Sequence, residues 1–384
     1  MTETSGTMAG TSGALRERDE SFMRRALELA ERGRGATSPN PVVGAVIVRD
    51  GDVVGEGFHE RCGGPHAEVN ALAEASELAS GATLYVTLEP CSVTGRTPPC
   101  TDAILAAGVA RVVVPVEDPN PLISGRGISI LRSAGVAVEL GLLSDEALCL
   151  NAPYFKFRRT GLPFTTLKMA VSLDGRIAPP PGGPRWTSSS ASRELVQAMR
   201  GESDCVMVGI GTVLADDPQL TDRRESASRT PARLVLDTEL RIPPRSALVQ
   251  SARSARTIVA CAESADAGRR HALEGAGVEV WAIEREAHGV DIRQALSRAA
   301  EAGMLSVLAE GGAGVAGSLL DVGLVDRVAV FIAARFYGSE GTAALPALGE
   351  QWWARGAAFE NCSWTEIGGD CLFRADVAPR DWSE

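Results

Sequence analysis

The stretch TLYVTLEPCSVTGRTPPCTDAILAAG, residues 83–108, reads as a buried strand, a cysteine-bearing turn and a helix. TLYVTLEP is apolar without alternation, as in a strand covered on both faces. Pro98 and Pro99 suit a helix start, and Gly108 suits its end. The same order recurs on either side. Upstream, Phe22, Met23, Ala26, Leu27, Leu29 and Ala30 share one helical face, and Gly33 and Gly35 close it. PVVGAVIV (41–48) and DVVGEGF (52–58) flank Asp50-Gly51, which predicts a hairpin. Pro65 precedes a helix, HAEVNALAEASELAS (66–80). Downstream come the strand RVVVPV (111–116), the helix ISILRSAG (128–135) and the strand VAVELG. Strands alternating with helices predict a sheet with helices on both faces.

The pattern restarts after a helical, basic-ended segment (141–160) and Thr160-Gly161-Leu162-Pro163. The expected division is a disordered, Ser/Thr/Gly-rich tail (1–15), a first domain (16–160) and a second (161–384). The second domain is again α/β. Its predicted strands are FTTLKMAVSLDG (164–175), CVMVGIG (205–211), RLVLDT (233–238), RTIVACA (256–262), LSVLAE (305–310) and VDRVAVFIAA (325–334). Helices are predicted over 191–200, near 292–302 and over 315–323, with a polar loop over 209–223. A chain of 384 residues, 45% hydrophobic and 23% charged, fits two or three folded domains.

Lys and Arg number 38 against 49 Asp and Glu, a net charge of −11. An acidic chain is a poor non-specific binder of nucleic acid, so a small-molecule substrate is expected. No run approaches the roughly 20 apolar residues that span a bilayer, and the N-terminus has no apolar signal core. A cytoplasmic, thiol-reducing location is expected, and the eight Cys suggest no disulfide framework.

Two of those cysteines have a chemical reading. His66 opens the segment His66-Ala67-Glu68; Glu89-Pro90-Cys91 ends a strand, and Cys100 opens the next helix. One His and two Cys suit a tetrahedral zinc whose fourth position is left for water, the mark of a catalytic rather than a structural ion. Such an ion lowers the pKa of its water towards 7. Glu68 is placed to pass protons between that water and a leaving amine, without being a ligand. The bland alternative is a cap histidine with two small core cysteines.

H-x-E followed by P-C-x-x-C is the pattern of zinc nucleobase deaminases, with C-x8-C standing here for C-x-x-C. TSPNPVVGAVIV (37–48), GFHERCGGPHAEVNAL (57–72), LYVTLEPCSVTGRTPPCTDAI (84–104) and DPNPLISGRG (118–127) resemble the deaminase half of bacterial riboflavin-biosynthesis deaminase-reductases. The resemblance runs on to about residue 345. It implies a cytidine-deaminase-like α/β/α sandwich followed by a dihydrofolate-reductase-like α/β domain. It also implies two activities on successive intermediates. The first is zinc-dependent hydrolytic deamination of 2,5-diamino-6-ribosylamino-4(3H)-pyrimidinone 5′-phosphate; the second is NADPH-dependent reduction of the ribosyl group to ribityl. Homo-oligomers, dimers or tetramers, are usual in that family. A deaminase alone, with a degenerate second domain, is the alternative; a tRNA deaminase fits the charge poorly.

By the same resemblance, His66, Cys91 and Cys100 hold zinc, and Asn40 and His59 touch substrate. His59 also reads as an exposed strand-end residue. Arg96, in the loop between the two cysteines, suits a phosphate or is simply solvated. In the second half there is no G-x-G-x-x-G after the first strand, so an ordinary dinucleotide fold is not expected. LAEGGAGVAGSLL (308–320) instead reads as strand, glycine turn and helix, able to bring N–H groups to a phosphate. The resemblance places the cofactor at Ala170, Trp186, Thr212, Asp216, Thr238, Gly312, Ala313, Gly314 and Ser318. It places substrate at Lys168, Arg200, Leu220, Arg223 and Glu310, with Arg200 and Arg223 suited to a 5′-phosphate. Lys168, Asp216 and Glu310 are the candidate proton donors. Three departures stand out: Val93 where the family has His, Pro184 where it has Ser, and Ala333-Ala334-Arg335-Phe336-Tyr337-Gly338 where it has Ala-Pro before Leu-Leu-Gly.

Overall fold

A computed structural model describes residues 7–94, 98–225, 227, 229–287, 289–347 and 359–378. The chain divides into two compact units, Met1–Thr160 and Gly161–Glu384.

In the first unit, helix α1 (Thr7–Glu31) leads into the hairpin β1 (Gly44–Arg49) and β2 (Asp52–Phe58). Then come α2 (Ala67–Ala75), β3 (Thr83–Val86), α3 (Cys100–Ala106), β4 (Arg111–Val114), α4 (Arg126–Ser133), β5 (Ala137–Leu140), α5 (Ser144–Leu150) and α6 (Ala152–Thr160). The strands form one sheet in the order β2-β1-β3-β4-β5, antiparallel from β2 to β3 and parallel from β3 to β5. Period-two alternation divides β1 between two cores. Ala45 and Ile47 pack with Ala67, Ala71, Leu84, Ile104 and Leu131. Val46 and Val48 pack with Met23, Ala26 and Leu29 of α1. Both faces of the sheet are thus covered by helices. Because α1 begins at Thr7, residues 7–15 of the expected tail are helical. The apolar stripe from Phe22 onward anchors the helix, and extending an anchored helix costs little once nucleation is over. The predicted helix over 141–160 is two helices broken at Asn151. The Asn151 amide is buried and pairs with both backbone groups of Val42, which ties the loop before β1 to α5 and α6.

In the second unit the strands are β6 (Phe164–Ser172), β7 (Arg176–Ala178), β8 (Cys205–Gly209), β9 (Ala232–Leu236), β10 (Thr257–Ala262), β11 (Glu279–Ile283), β12 (Arg285–Glu286), β13 (Gly289–Val290), β14 (Ser306–Ala309), β15 (Arg327–Ala333), β16 (Thr342–Ala343), β17 (Phe359–Ile367) and β18 (Asp370–Val377). The helices are α7 (Ser190–Glu202), α8 (Ile210–Asp216), α9 (Ala247–Gln250), α10 (Ala267–Gly275), α11 (Ile292–Glu301) and α12 (Ala313–Asp321). Nine strands make the main sheet, β11-β10-β9-β8-β14-β6-β15-β18-β17; β7 pairs with β16 and β12 with β13. From β11 to β15 every pairing is parallel, and the last two strands are antiparallel. One face buries α11 and α12 against Leu167, Met207, Leu234 and Val307. The other buries Leu248 and Leu273 against Val206, Val235 and Val259. The segment expected as a polar loop over 209–223 starts with α8, whose Ile210 and Val213 are buried; its apolar spacing is too short to announce a helix. Parallel strands place their C-terminal ends, and the residues just beyond them, along one edge.

Candidate active sites

In the first unit, three separate segments supply one cluster. His66 caps α2 with an extended backbone and no side-chain capping bond, which leaves its ring free to turn inward. Gly55 and Gly57 of β2 permit this placement: a Cβ at Gly57 would lie 2.5 Å from the Ala67 carbonyl oxygen, so only glycine lets α2 lie this close. Cys100 is the first residue of α3, and its N–H reaches the Cys91 Sγ at 3.3 Å. His66 Nδ1 stands 3.1 Å from Cys100 Sγ and 3.6 Å from Cys91 Sγ. All three ligand atoms lie within 4.8 Å of one another. Three soft-to-borderline donors at this separation fit one zinc ion, with a fourth position left over. Glu68, in the first turn of α2, is 3% exposed, and burial raises its carboxyl above the ordinary range.

His59 is buried, which removes the reading of an exposed strand end. Its Nδ1–H donates to the Pro65 carbonyl at 2.9 Å, so its Nε2 accepts from Asn40 Nδ2 at 3.1 Å. Burial holds its pKa below the usual imidazole value. The His59 and His66 rings meet edge-on, 5.3 Å between centroids. Asn40, His59, His66 and Glu68 are therefore linked side by side in one cluster. Val93 is exposed, and Arg96 lies outside the described residues.

Glu89 is a buried residue to which sequence reading gave no role. Its carboxylate accepts backbone N–H bonds from Asp118 (3.0 Å), Gly125 (2.9 Å), Gly127 (2.9 Å) and Ile128 (3.3 Å). That fixes the 118–128 loop beside Cys91. The signal was a carboxylate between an apolar strand and a proline, which is rarely buried without dedicated donors.

In the second unit, Glu310 follows β14 and is the centre of a buried ionic triad. Its carboxylate takes a two-pronged bond from Arg200 of α7, Nε to Oε1 at 2.6 Å and Nη2 to Oε2 at 2.9 Å. Lys168 Nζ of β6 stands 3.9 Å from Glu310 Oε2 and 5.8 Å from the Phe331 ring centroid. Burial alone would raise Glu310, yet Arg200 and Lys168 hold its carboxyl below the usual range. Burial lowers the Lys168 ammonium. Arg200, expected at a phosphate, is thus largely committed to Glu310. Arg223 is exposed, and its guanidinium donates Nη1–H to Gln219 Oε1 at 3.4 Å. Leu220 is buried with a left-handed backbone (φ 56°).

The glycine turn also has a favourable form for a phosphate. Gly312, which has no side chain to fold back, caps α12, and among the described residues no side-chain hydrogen bond reaches the N–H groups of its first turn. A Cβ at Gly314 would meet nothing within 4 Å. The Cβ position of Gly312 lies 3.8 Å from Thr212 Oγ1 and 4.0 Å from Ile177 Cδ1, which brings α8 and β7 to this turn. These features fit a dinucleotide phosphate. Ala313 and Gly314 are in that first turn; Ser318 is in the second, where backbone N–H groups are already bonded within the helix. Thr238 follows β9, and its Oγ1 lies 3.1 Å from the Cβ position of Gly289. Ala170 on β6 packs with Val196, Phe331 and Leu372. Asp216 ends α8 and is exposed, as is Trp186.

A zinc-type deaminase cluster on one α/β/α unit and a glycine turn beside a buried ionic triad on another define a two-domain deaminase-reductase. Residues 16–116 match the cytidine and deoxycytidylate deaminase zinc-binding region, and residues 163–373 match the RibD C-terminal domain. The chain is 44% identical over 324 residues to the riboflavin biosynthesis protein RibD of Aquifex aeolicus (84% of this chain, 89% of that one). It is also 44% identical over 347 residues to that of Escherichia coli K12 (86% and 92%). Among solved structures, RibD of Acinetobacter baumannii matches with TM-score 0.84 and 37% identity over 94% of this chain and 99% of that one. A Thermotoga maritima protein titled diaminohydroxyphosphoribosylaminopyrimidine deaminase/5-amino-6-(5-phosphoribosylamino)uracil reductase matches with TM-score 0.81 and 34% identity over 94% and 99%. The chain belongs to the RibD family of riboflavin biosynthesis proteins. It pairs a zinc deaminase with an NADPH reductase.

Proposed function

We propose that the first unit removes an amino group hydrolytically from 2,5-diamino-6-ribosylamino-4(3H)-pyrimidinone 5′-phosphate, and that the second reduces the ribosyl group of the product to ribityl. One observation carries the reading: the imidazole and two thiols converge beside a buried glutamate whose carboxyl is held protonatable. His66, Cys91 and Cys100 would hold zinc, which when bound supplies Lewis-acid activation of water. Glu68 takes a proton at a carboxylate oxygen and hands it to the departing amine nitrogen. Its burial raises the carboxyl above the ordinary range, so it holds a proton more readily than an exposed glutamate. Asn40 and His59, fixed to each other, orient the pyrimidine.

In the second unit, the α12 turn with Thr212 would hold NADPH, which when bound supplies a hydride. Of the three candidate proton donors, Lys168 fits best. Asp216 faces solvent, and Glu310 is held ionised by Arg200. Lys168 is buried with a lowered pKa, so its ammonium releases a proton to the opening sugar oxygen more readily than a free lysine. Arg200 positions Glu310, and Glu310 positions Lys168. Arg223, exposed and with no carboxylate partner among the described residues, is the guanidinium for the 5′-phosphate. The paired assay is ammonia release and NADPH consumption on the natural substrate. Ammonia without NADPH oxidation would leave a deaminase alone.

The reading includes a homo-oligomer, as is usual in the family, and a cytoplasmic location. The eight cysteines form no disulfide with one another, which fits a reducing compartment. No helix among the described residues is long and apolar enough to cross a membrane.

A further inference from the structure

Asn40 lies between α1 and β1, outside any helix or strand. Its N–H donates to the Thr37 carbonyl at 2.8 Å, and its amide pairs with His59 Nε2 at 3.1 Å. From Asn40 the chain enters β1 through Pro41, Val42 and Val43. Val42 is buried, and among the described residues no backbone group pairs with its N–H or its carbonyl. Asn151 takes both. Its Oδ1 accepts the Val42 N–H at 2.9 Å, and its Nδ2–H donates to the Val42 carbonyl at 2.8 Å. Across 109 positions, one side chain makes the pair of bonds that a neighbouring strand would make. Were it removed, both Val42 groups would be left buried without partners.

The clamp is firmly seated. Asn151 is 3% exposed; its N–H donates to the Ala147 carbonyl of α5, and its carbonyl accepts from Phe155 of α6. Tyr154, in the first turn of α6, is also buried, and its hydroxyl donates to Asp118 Oδ1 at 3.0 Å. Leu150 packs with Val42 and with Ala30 of α1. Between Val42 and Asn40 stands Pro41. A proline fixes its own φ and restricts the residue before it, so the link has little slack, and a displaced Val42 carries Asn40 with it. We infer that Asn151 is a positioning residue of the deaminase unit: by clamping Val42, it sets where Asn40 meets the pyrimidine. The inference rests on the deaminase reading above, in which Asn40 touches substrate. The donors His66, Cys91 and Cys100 stand on other segments, which the Asn151 amide does not touch. Its loss should therefore show in substrate binding and leave the metal in place.

The test is a double-mutant cycle on the full, zinc-loaded chain, read by ammonia release from the natural pyrimidine substrate. Asn151→Ala should raise KM about ten-fold, as for buried bonds lost behind a substrate contact, with kcat changed far less. Zinc per chain, by elemental analysis, and NADPH oxidation on pre-deaminated substrate should both stay unchanged. Asn40→Ala should raise KM as well. If Asn151 works through Asn40, the double variant is no worse than Asn40→Ala alone, whereas a merely structural role would add the two effects. Val113→Ala, which opens a cavity on the α1 face of the sheet, should lower the melting temperature without raising KM. Should the Asn151→Ala chain not fold, Asn151→Asp takes its place in the cycle, since it keeps the acceptor for the Val42 N–H. The inference is overturned if the Asn151 variant keeps the wild-type KM, if only kcat falls, if zinc is lost in step with activity, or if the two KM effects add in full. A wild-type KM in the Asn40→Ala chain would instead remove Asn40 from the substrate site, and the inference would fall with that reading.

Discussion

The two sites are built in opposite ways. In the first unit, His66 and Glu68 are two positions apart at the start of α2, Cys100 opens α3, and Cys91 lies nine positions before it in the loop after β3. In the second, Arg200 and Glu310 are separated by 110 positions and meet only because α7 and the end of β14 reach the same edge of the sheet. The first site gathers its chemistry in side chains that can hold an ion and move a proton. The second holds a pre-formed ionic scaffold beside an open backbone turn, because its cofactor brings the reactive hydrogen. A site that supplies chemistry needs a local pattern of special residues; one that supplies orientation and charge can draw on any part of the fold.

Removing the metal should separate the two most sharply. Dialysis against a chelator is expected to abolish ammonia release while NADPH oxidation on pre-deaminated substrate stays unchanged; parallel loss of both would break the contrast. Glu68→Gln should lower deamination about 10²- to 10⁴-fold with zinc content per chain unchanged by elemental analysis. On the other side, Glu310→Ala leaves Lys168 and Arg200 as uncompensated buried charges. It should cost about 3–5 kcal/mol of the second unit's unfolding free energy, read as a lowered denaturant midpoint, and remove most reduction. Lys168 must be protonated to donate, and burial lowers its pKa. The reduction rate should therefore fall with rising pH below the range where an ordinary lysine loses its proton. Lys168→Arg should move or erase that limb, and a pH profile identical to wild type would remove Lys168 as donor. The smallest effect is expected from Gly314→Ala. There is room for the methyl group in the fold, so thermal stability should hold or rise slightly, while KM for NADPH rises a few-fold.

How much was readable follows the same divide. Each predicted strand of the first unit has its counterpart, and DVVGEGF (52–58) is β2 residue for residue. The TLYVTLEP stretch forms strand only to Val86, because the chain turns there to carry Cys91 towards His66. The C-terminal hairpin β17–β18 was not among the expected elements. β17 is an exposed edge strand, and an edge strand needs no apolar alternation. Lys168, Arg200 and Glu310 could be named one by one, but not as a triad, since an ion pair across 110 residues leaves no periodicity behind.

From the sequence by itself came the grouping of His66, Glu68, Cys91 and Cys100 as one candidate metal site and the alternation of strands and helices in the first unit, because these depend on short spacings and on which faces are apolar. Only the tertiary structure decided that Arg200 faces Glu310, that His59 is buried against Asn40, and that the guanidiniums of Arg185 and Arg193 pack on the Trp186 ring. Those outcomes depend on which loops the parallel sheet brings to one edge, and distance through space is set by packing rather than by position along the chain.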